Sequence, residues 1–338
     1  MSAALDFSFL PQDDPADVVE LVRLGEQLGF RCAWLPDNSL RLDPFVLLAA
    51  CAGATSRIDL GIAVTTPFTR HPAQIARAAA SLDRLAEGRV RLGLGAGNPV
   101  LLLEPLGVSL HDPVRRVADA ITIVRGLVAG EEITHRGKYD SVHRARLDFA
   151  PYRPSLPVYV GTRAPKMLAL AGRYADGVLL NTLCTDEGLH WATGCIAAGA
   201  ATAGRTPGSL DVVAGQAVAF AGDAMEEVRA FAARSIVAAP EATLRLAGIE
   251  PAKARRVRDL CERGGAALAA DEIDDATLGR MAVVGAACDV ARGLTRALSH
   301  GATSLLALCL GGPAAIADTL AGLAREVAPL LTSNEEVP

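Results

Sequence analysis

The chain has no C-x-x-C pair, no stripe of basic residues, no G-x-S-x-G elbow and no unbroken apolar span long enough to cross a membrane. Each absence excludes something. Its seven cysteines, Cys32, Cys51, Cys184, Cys195, Cys261, Cys288 and Cys309, are odd in number and widely scattered, so they read as small buried hydrophobes in a reducing cytosol rather than as a disulfide framework. Acidic residues outnumber basic ones, 38 to 33, for a formal charge of -5. With no cationic face to release counterions from phosphates, nucleic acid is not expected as a partner. The first residues, MSAALDFSFLPQDD, lack the basic region of a signal peptide. Leu305 to Ala324 is the most membrane-like span, but Gly311, Gly312 and Pro313 divide it into a strand and a helix. No His, Cys and carboxylate cluster has metal-ligand spacing. The expectation is a cytoplasmic protein with no metal and no membrane partner.

What the chain does contain is a repeated strand, small-residue loop and helix. Its 338 residues, 51% of them hydrophobic, can fill one α/β barrel of about 250 residues with insertions. Strands are expected at Leu5 to Leu10, Cys32 to Pro36, Ile58 to Val64, Val90 to Leu94, Pro157 to Val160, Gly177 to Leu180, Val212 to Phe220 and Thr303 to Leu308. Helices are expected over Asp14 to Leu28, Pro44 to Ala54, Ala73 to Ala86, Val114 to Val128 and Pro165 to Tyr174, with a β-hairpin around Gly137 and Lys138. Eight strands in βα order indicate a closed TIM (β/α)8 barrel over residues 1–330. Extra helices should fill Asp223 to Ala302, and residues 331–338 should form a flexible tail.

Two loops carry candidate chemistry. GLGAGN, Gly93 to Asn98, follows a strand but fails the dinucleotide spacing in either register, because Asn98 or Val100 falls where Gly or Ala is needed. It is a close-approach loop for a flat ligand, or a tight barrel-top turn. Gly161, Thr162, Arg163, Ala164, Pro165 and Lys166 follow the fifth strand and open a helix, so free N–H groups, the helix dipole and two cations make an anion site suited to phosphate. An ordinary helix start with two solvated cations is the plain alternative. His71, just before a helix, is expected to be structural.

Taken together, GFRCAWLPDN (Gly29 to Asn38), LGIAVTTPFTRHPAQIARAAASLDRLAEGRVRLGLGAGN (Leu60 to Asn98) and PVYVGTRAPKMLALAGRYADGVLLN (Pro157 to Asn181) resemble the bacterial-luciferase-like oxidoreductases. More narrowly, they look like the F420-dependent branch typified by methylenetetrahydromethanopterin reductase. AVVG at Ala282 to Gly285 and GATSLLAL at Gly301 to Leu308 continue the likeness, which is weak between about Cys184 and Arg280.

The resemblance implies a deazaflavin (F420) or, alternatively, FMN ring over a bulge in strand three, with a cis peptide between Ala63 and Val64. It implies that Val64, Thr65 and Thr66 back the ring, that Gly95, Ala96, Gly97 and Asn98 border its polar edge, and that Gly161, Thr162, Arg163 and Ala164 hold the tail phosphate. Asp37 and Asn38 would approach from the substrate side. The implied activity is hydride transfer from F420H2 to a C=N or C=C bond of a small molecule. Asp37 is the first candidate for proton delivery and Asp6 the second, since Asp6 shares the inward face with Ser8; a salt-bridged role at the base of the barrel is the alternative for Asp6. The resemblance also implies a homodimer. Where those reductases carry Glu on strand one, His after the strand-two Asp, and Asp after the strand-four glycines, this chain has Ser8, Asn38 and Asn98. An FMNH2-dependent monooxygenase is the runner-up, and a non-catalytic cofactor-binding barrel, an inactive partner in a heterodimer, is the third reading.

Overall fold

Asp14, Asp43 and His71 each stand immediately before a proline, and each side chain accepts from the backbone N–H two residues on: 2.8 Å from Ala16, 2.9 Å from Phe45 and 3.2 Å from Ala73. A side-chain cap followed by a proline with preset φ starts a helix at a defined residue. The result is α1 (Pro15–Gln27), α2 (Pro44–Ala54) and α3 (Pro72–Leu85). His71 is therefore a cap, as its position suggested.

The computed structural model describes residues 4–38, 40–181, 185–206, 208–220 and 225–332. Alternating with these helices are β1 (Ala4–Phe9), β2 (Cys32–Leu35), β3 (Asp59–Thr65) and β4 (Val90–Leu94). The chain continues through α4 (Pro113–Val128), a two-stranded excursion of β5 (Ile133–Arg136) and β6 (Ser141–Ala145), β7 (Val158–Gly161), α5 (Pro165–Tyr174), β8 (Gly177–Asn181), α6 (Asp186–Thr202) and β9 (Asp211–Phe220). β11 (Ser304–Cys309) completes the cycle and is followed by α12 (Pro313–Gly322). Parallel pairing runs β1-β2-β3-β4-β7-β8-β9-β11 and returns to β1, an eight-stranded closed barrel. β1 and β7 are diametrically opposed in this order.

The segment expected to be helical inserts α7 (Met225–Ala238), α8 (Glu241–Leu246), α9 (Pro251–Ala270) and α10 (Asp275–Met281), then a strand, β10 (Ala282–Gly285), and α11 (Ala287–Ser299). The strand was not expected. β10 pairs with residues 217–220 of β9, on the edge that β8 occupies along 211–215. The ten residues of β9 thus outlast the five of β8, and the unpaired remainder of that edge takes up a new strand. The residues expected to form the tail fall mostly outside the described range, as does Cys184. The six described cysteines are free; Cys32, Cys51 and Cys309 are buried, whereas Cys195, Cys261 and Cys288 are only half-buried. No helix among the described residues is long and apolar enough to cross a membrane.

Inside the barrel, Trp34 and Tyr159 meet edge to face with ring centroids 5.1 Å apart, joined by Cys32, Leu179, Val213 and Leu306. These large rings fit because their register partners on the adjacent strands are glycine: a Cβ on Gly61 would run into the Trp34 ring, and one on Gly177 into Tyr159. Below this plug lies a polar layer. Asp6 accepts two bonds from Arg31, at 2.7 and 2.6 Å, and one from the Trp34 indole at 2.9 Å. Arg31 also reaches Asp211 at 3.0 Å, which accepts from the Tyr159 and Ser304 hydroxyls at 2.9 and 2.6 Å. Arg91 pairs with Asp59 at 2.7 Å and bonds the Tyr159 hydroxyl.

This layer decides between the two roles expected of Asp6, proton delivery and a salt bridge at the base of the barrel. Asp6 is fully buried beneath the aromatic plug with its carboxylate committed to Arg31 and Trp34, so it holds the base of the barrel and is removed from the list of proton donors. Desolvation pushes its pKa up while Arg31 and Trp34 oppose that shift. Removing one member of such a pair leaves a desolvated charge behind. Asp6→Asn is expected to lower the unfolding free energy by roughly 3 kcal/mol, the low end of the range because Arg31 keeps Asp211. Urea denaturation checks this, and an unchanged midpoint would contradict it.

Candidate active site

At the opposite, C-terminal end of the strands, β3 breaks register against β4 between Ile62 and Thr65, and the Ala63–Val64 peptide is cis. The bulge re-aims Val64 inward. A Cβ on Gly93, Gly95 or Gly161 would collide with the Val64 side chain, so glycine on β4, in the loop after it and at the end of β7 is what lets the bulge close against its neighbours. Ala63 and Val64 pack on the aromatic plug, which becomes the floor of the site. Gly95 donates to the Thr65 carbonyl at 2.9 Å, tying the two strand ends together.

Thr65 and Thr66 are buried. The Thr65 hydroxyl donates to Asp37 Oδ2 at 2.7 Å, and Thr66 Oγ1 accepts from the Phe68 amide at 3.3 Å. Asp37 also faces Arg70, with Nε at 3.5 Å; Arg70 pairs with Asp43 and lies over the Phe45 ring, 5.2 Å from its centroid. Burial raises the Asp37 pKa above the usual carboxylate range, against the pull of Thr65 and Arg70. Arg70 held this position unannounced, because nothing in the sequence says that it reaches back across α2's entry loop. The Asn38 carbonyl accepts from the Arg41 amide at 2.8 Å, fixing the turn after β2.

After β4, Gly97 has φ 80°, a conformation that favours glycine. The Asn98 carbonyl then accepts from Leu102 and Leu103 at 3.0 and 3.1 Å, forming a π-turn, Pro99–Leu103. Ala96 is half-buried and packs against the cluster of Phe68, Leu102 and Leu103.

On the β7 side, Thr162 Oγ1 accepts from the Ala164 amide at 3.0 Å, and the Thr162 amide donates to Leu179 O at 3.3 Å. No side chain caps α5 at Ala164, in contrast to α1, α2 and α3. Burial lowers the Arg163 pKa. The Thr243 hydroxyl of α8 donates to the Arg163 carbonyl at 3.2 Å, bracing the loop from the inserted segment. A rigid loop, an uncapped helix start and a neighbouring cation suit a phosphate-bearing ligand.

The structure therefore gathers Asp37, Asn38, Ala63 to Thr66, Gly95 to Asn98 and Gly161 to Ala164 on four consecutive barrel strands, and leaves Asp6 at the other end. The model of the family described as luciferase-like monooxygenase matches residues 5–304. The chain belongs to that family. Within this luciferase-like family it is similar to a 5,10-methylenetetrahydromethanopterin reductase of Methanolobus tindarius, 32% identical over 90% of this chain and 94% of the relative. A protein of the same name from Archaeoglobus fulgidus is 28% identical over 90% and 93%. Among solved structures, the coenzyme F420-dependent tetrahydromethanopterin reductase from Methanopyrus kandleri superposes with a TM-score of 0.88 at 25% identity, covering 97% of this chain and 99% of that one.

The Thr65 bond acts on the ionised carboxylate of Asp37, so its removal must favour the protonated form. Thr65→Val is expected to raise the Asp37 pKa further, read by ¹³C carboxyl titration. A fall would mean that Asp37 takes its environment from other groups.

Proposed function

We propose that this protein is an F420H2-dependent reductase that delivers a hydride to a C=N or C=C bond of a small organic molecule. The observation that carries this reading is the bulged end of β3, with Val64 seated against Gly93, Gly95 and Gly161, in a chain aligned along nearly the whole of a named reductase. When bound in its reduced form, F420 supplies the hydride.

The protein's own part is positioning, exclusion of water and the proton. Val64, Thr65 and Thr66 would back one face of the ring, and Gly95 to Asn98 would border it. Gly161 to Ala164, with α5 behind them, take the tail phosphate. Asp37 provides the proton: its carboxyl is shifted toward the neutral acid by burial and is oriented by the Thr65 hydroxyl. Asn38 orients the acceptor as a neutral hydrogen-bonding group. Ser8, Asn38 and Asn98 replace three ionisable groups of the methylenetetrahydromethanopterin reductases, which favours an acceptor other than methylenetetrahydromethanopterin.

We also assign the enzyme to the cytoplasm, where its free thiols stay reduced, and to a homodimer. The eleven residues of α2, PFVLLAACAGA, carry no charge, yet Val46 is 69% exposed. A helix apolar on every face calls for a partner, and a second copy of the chain supplies one. The apolar face of α4, by contrast, is spent on the barrel.

Two measurements test the reading. Titration of the apo-protein with oxidised F420 and with FMN should give micromolar binding of F420 and much weaker binding of FMN. The reverse preference would support oxygen-dependent flavin chemistry, and binding of neither a non-catalytic barrel. Because Asp37 must be protonated to act and its pKa is raised, reductive turnover should fall as pH rises through a value above the ordinary carboxylate range. Asp37→Asn should lose most of kcat and that limb while retaining F420 affinity. Equal kcat in the two proteins would remove Asp37 from the mechanism.

A further inference from the structure

Arg234 sits on α7 as a half-buried guanidinium that, among the described residues, donates no hydrogen bond and forms no ion pair. The charged groups that sense it are Arg41, which repels it, and Glu227, with the Cys261 thiol of α9 beside them. Burial lowers its pKa, as expected for a cation short of acceptors. A desolvated charge without partners is costly, and proteins retain one where something else completes it.

Its place in the fold says what that something is. Glu227 lies two turns earlier on the same face of α7 and borders Gly311, just past the end of β11. Arg41 belongs to the turn after β2, with its amide bonded to Asn38 and its Nη1 to the Pro11 carbonyl beyond β1 at 3.2 Å. α7 also packs against the π-turn that follows β4. The helix therefore crosses the mouth of the barrel, with Glu227 beside the end of β11 and Arg234 two turns further along it, while Arg41 stands on the rim after β2. β1 is diametrically opposite β7, whose loop offers the phosphate site. An anion that bridges Arg234 and Arg41, the latter following β2 and so three strands from β7, is therefore not the tail phosphate.

We propose that Arg234 and Arg41 form the anion-recognition end of the acceptor site, so that the molecule reduced here carries a carboxylate or an equivalent anionic group. This rests on the reductase reading for what enters the site. Arg234 offers all five of its N–H donors, and Arg41 has Nε and Nη2 uncommitted among the described residues. A planar carboxylate bridging two guanidinium groups takes charge-assisted bonds from both.

The test uses F420-loaded protein and a panel of α,β-unsaturated carboxylic acids, each beside its methyl ester, with binding read from F420 fluorescence. The acids are expected to bind about tenfold more tightly than their esters, as suits a charge-assisted contact. Arg234→Gln should reduce that preference to within about twofold, Arg234→Lys should restore part of it, and Arg41→Gln, on an exposed turn, should weaken it independently. Affinity for F420 itself should be the same in all four proteins. Equal binding of acid and ester by the native protein, binding of neither, or an undiminished preference in both glutamine variants would overturn the proposal. Failure to bind F420 at all would instead sink the cofactor assignment; the same acid and ester pairs, measured by calorimetry on the FMN-loaded or apo-protein, would still decide the anion site.

Discussion

Closure of the barrel depends on Asp211. As the first residue of β9 it accepts from Arg31 ahead of β2, from Tyr159 on β7 and from Thr303 and Ser304 where β11 begins, with Arg91 of β4 at 3.4 Å. Against the desolvation of its site, Arg31 and these hydroxyls hold its pKa below the ordinary carboxylate range. Strands distant in sequence are thereby tied at one end by charge-assisted bonds whose partners all belong to the barrel itself. Acidification through the depressed pKa would withdraw that contribution, since it exists only while the carboxylate is ionised.

Everything above this layer follows from an exchange of volume. Trp34 and Tyr159 fill the middle of the barrel, and glycines beside them on the neighbouring strands leave the room. The same exchange recurs one level higher, where Val64 occupies the space that Gly93, Gly95 and Gly161 leave empty. The floor of the site is therefore solid packing, and its rim is backbone from β3, β4 and β7. Such a surface suits a flat ligand, because nothing protrudes from it.

Asp6 and Asp37 show how position decides the work of a carboxylate. Both are desolvated. Asp6 has a guanidinium on two oxygens and an indole on one of them, beneath an aromatic plug, and so is a structural anion. Asp37 has one threonine hydroxyl and a more distant Arg70 at the open end of the barrel, the arrangement on which its proposed role rests.

The order of strands and helices was legible from the chain alone, because β4, α3 and α5 carry their periodicity and their boundary residues locally: the glycines after β4, and the prolines opening α3 and α5. The loops after β3, β4 and β7 were legible for the same reason, since each ends its own strand in small or hydroxyl residues, whereas Asp37 and Asn38 after β2 were pointed to by the family resemblance alone. β10 was not, because four residues of AVVG joined directly to α10 become a strand only where β9 outruns β8. Nor was the fate of Asp6, as alternation says that a side chain points inward but not how deep the layer lies or which cation shares it. The meeting of Arg70 with Asp37 was likewise settled by the tertiary structure. Local pattern encodes the direction in which a side chain leaves its own element, whereas its partners are fixed only when closure of the barrel brings distant segments together.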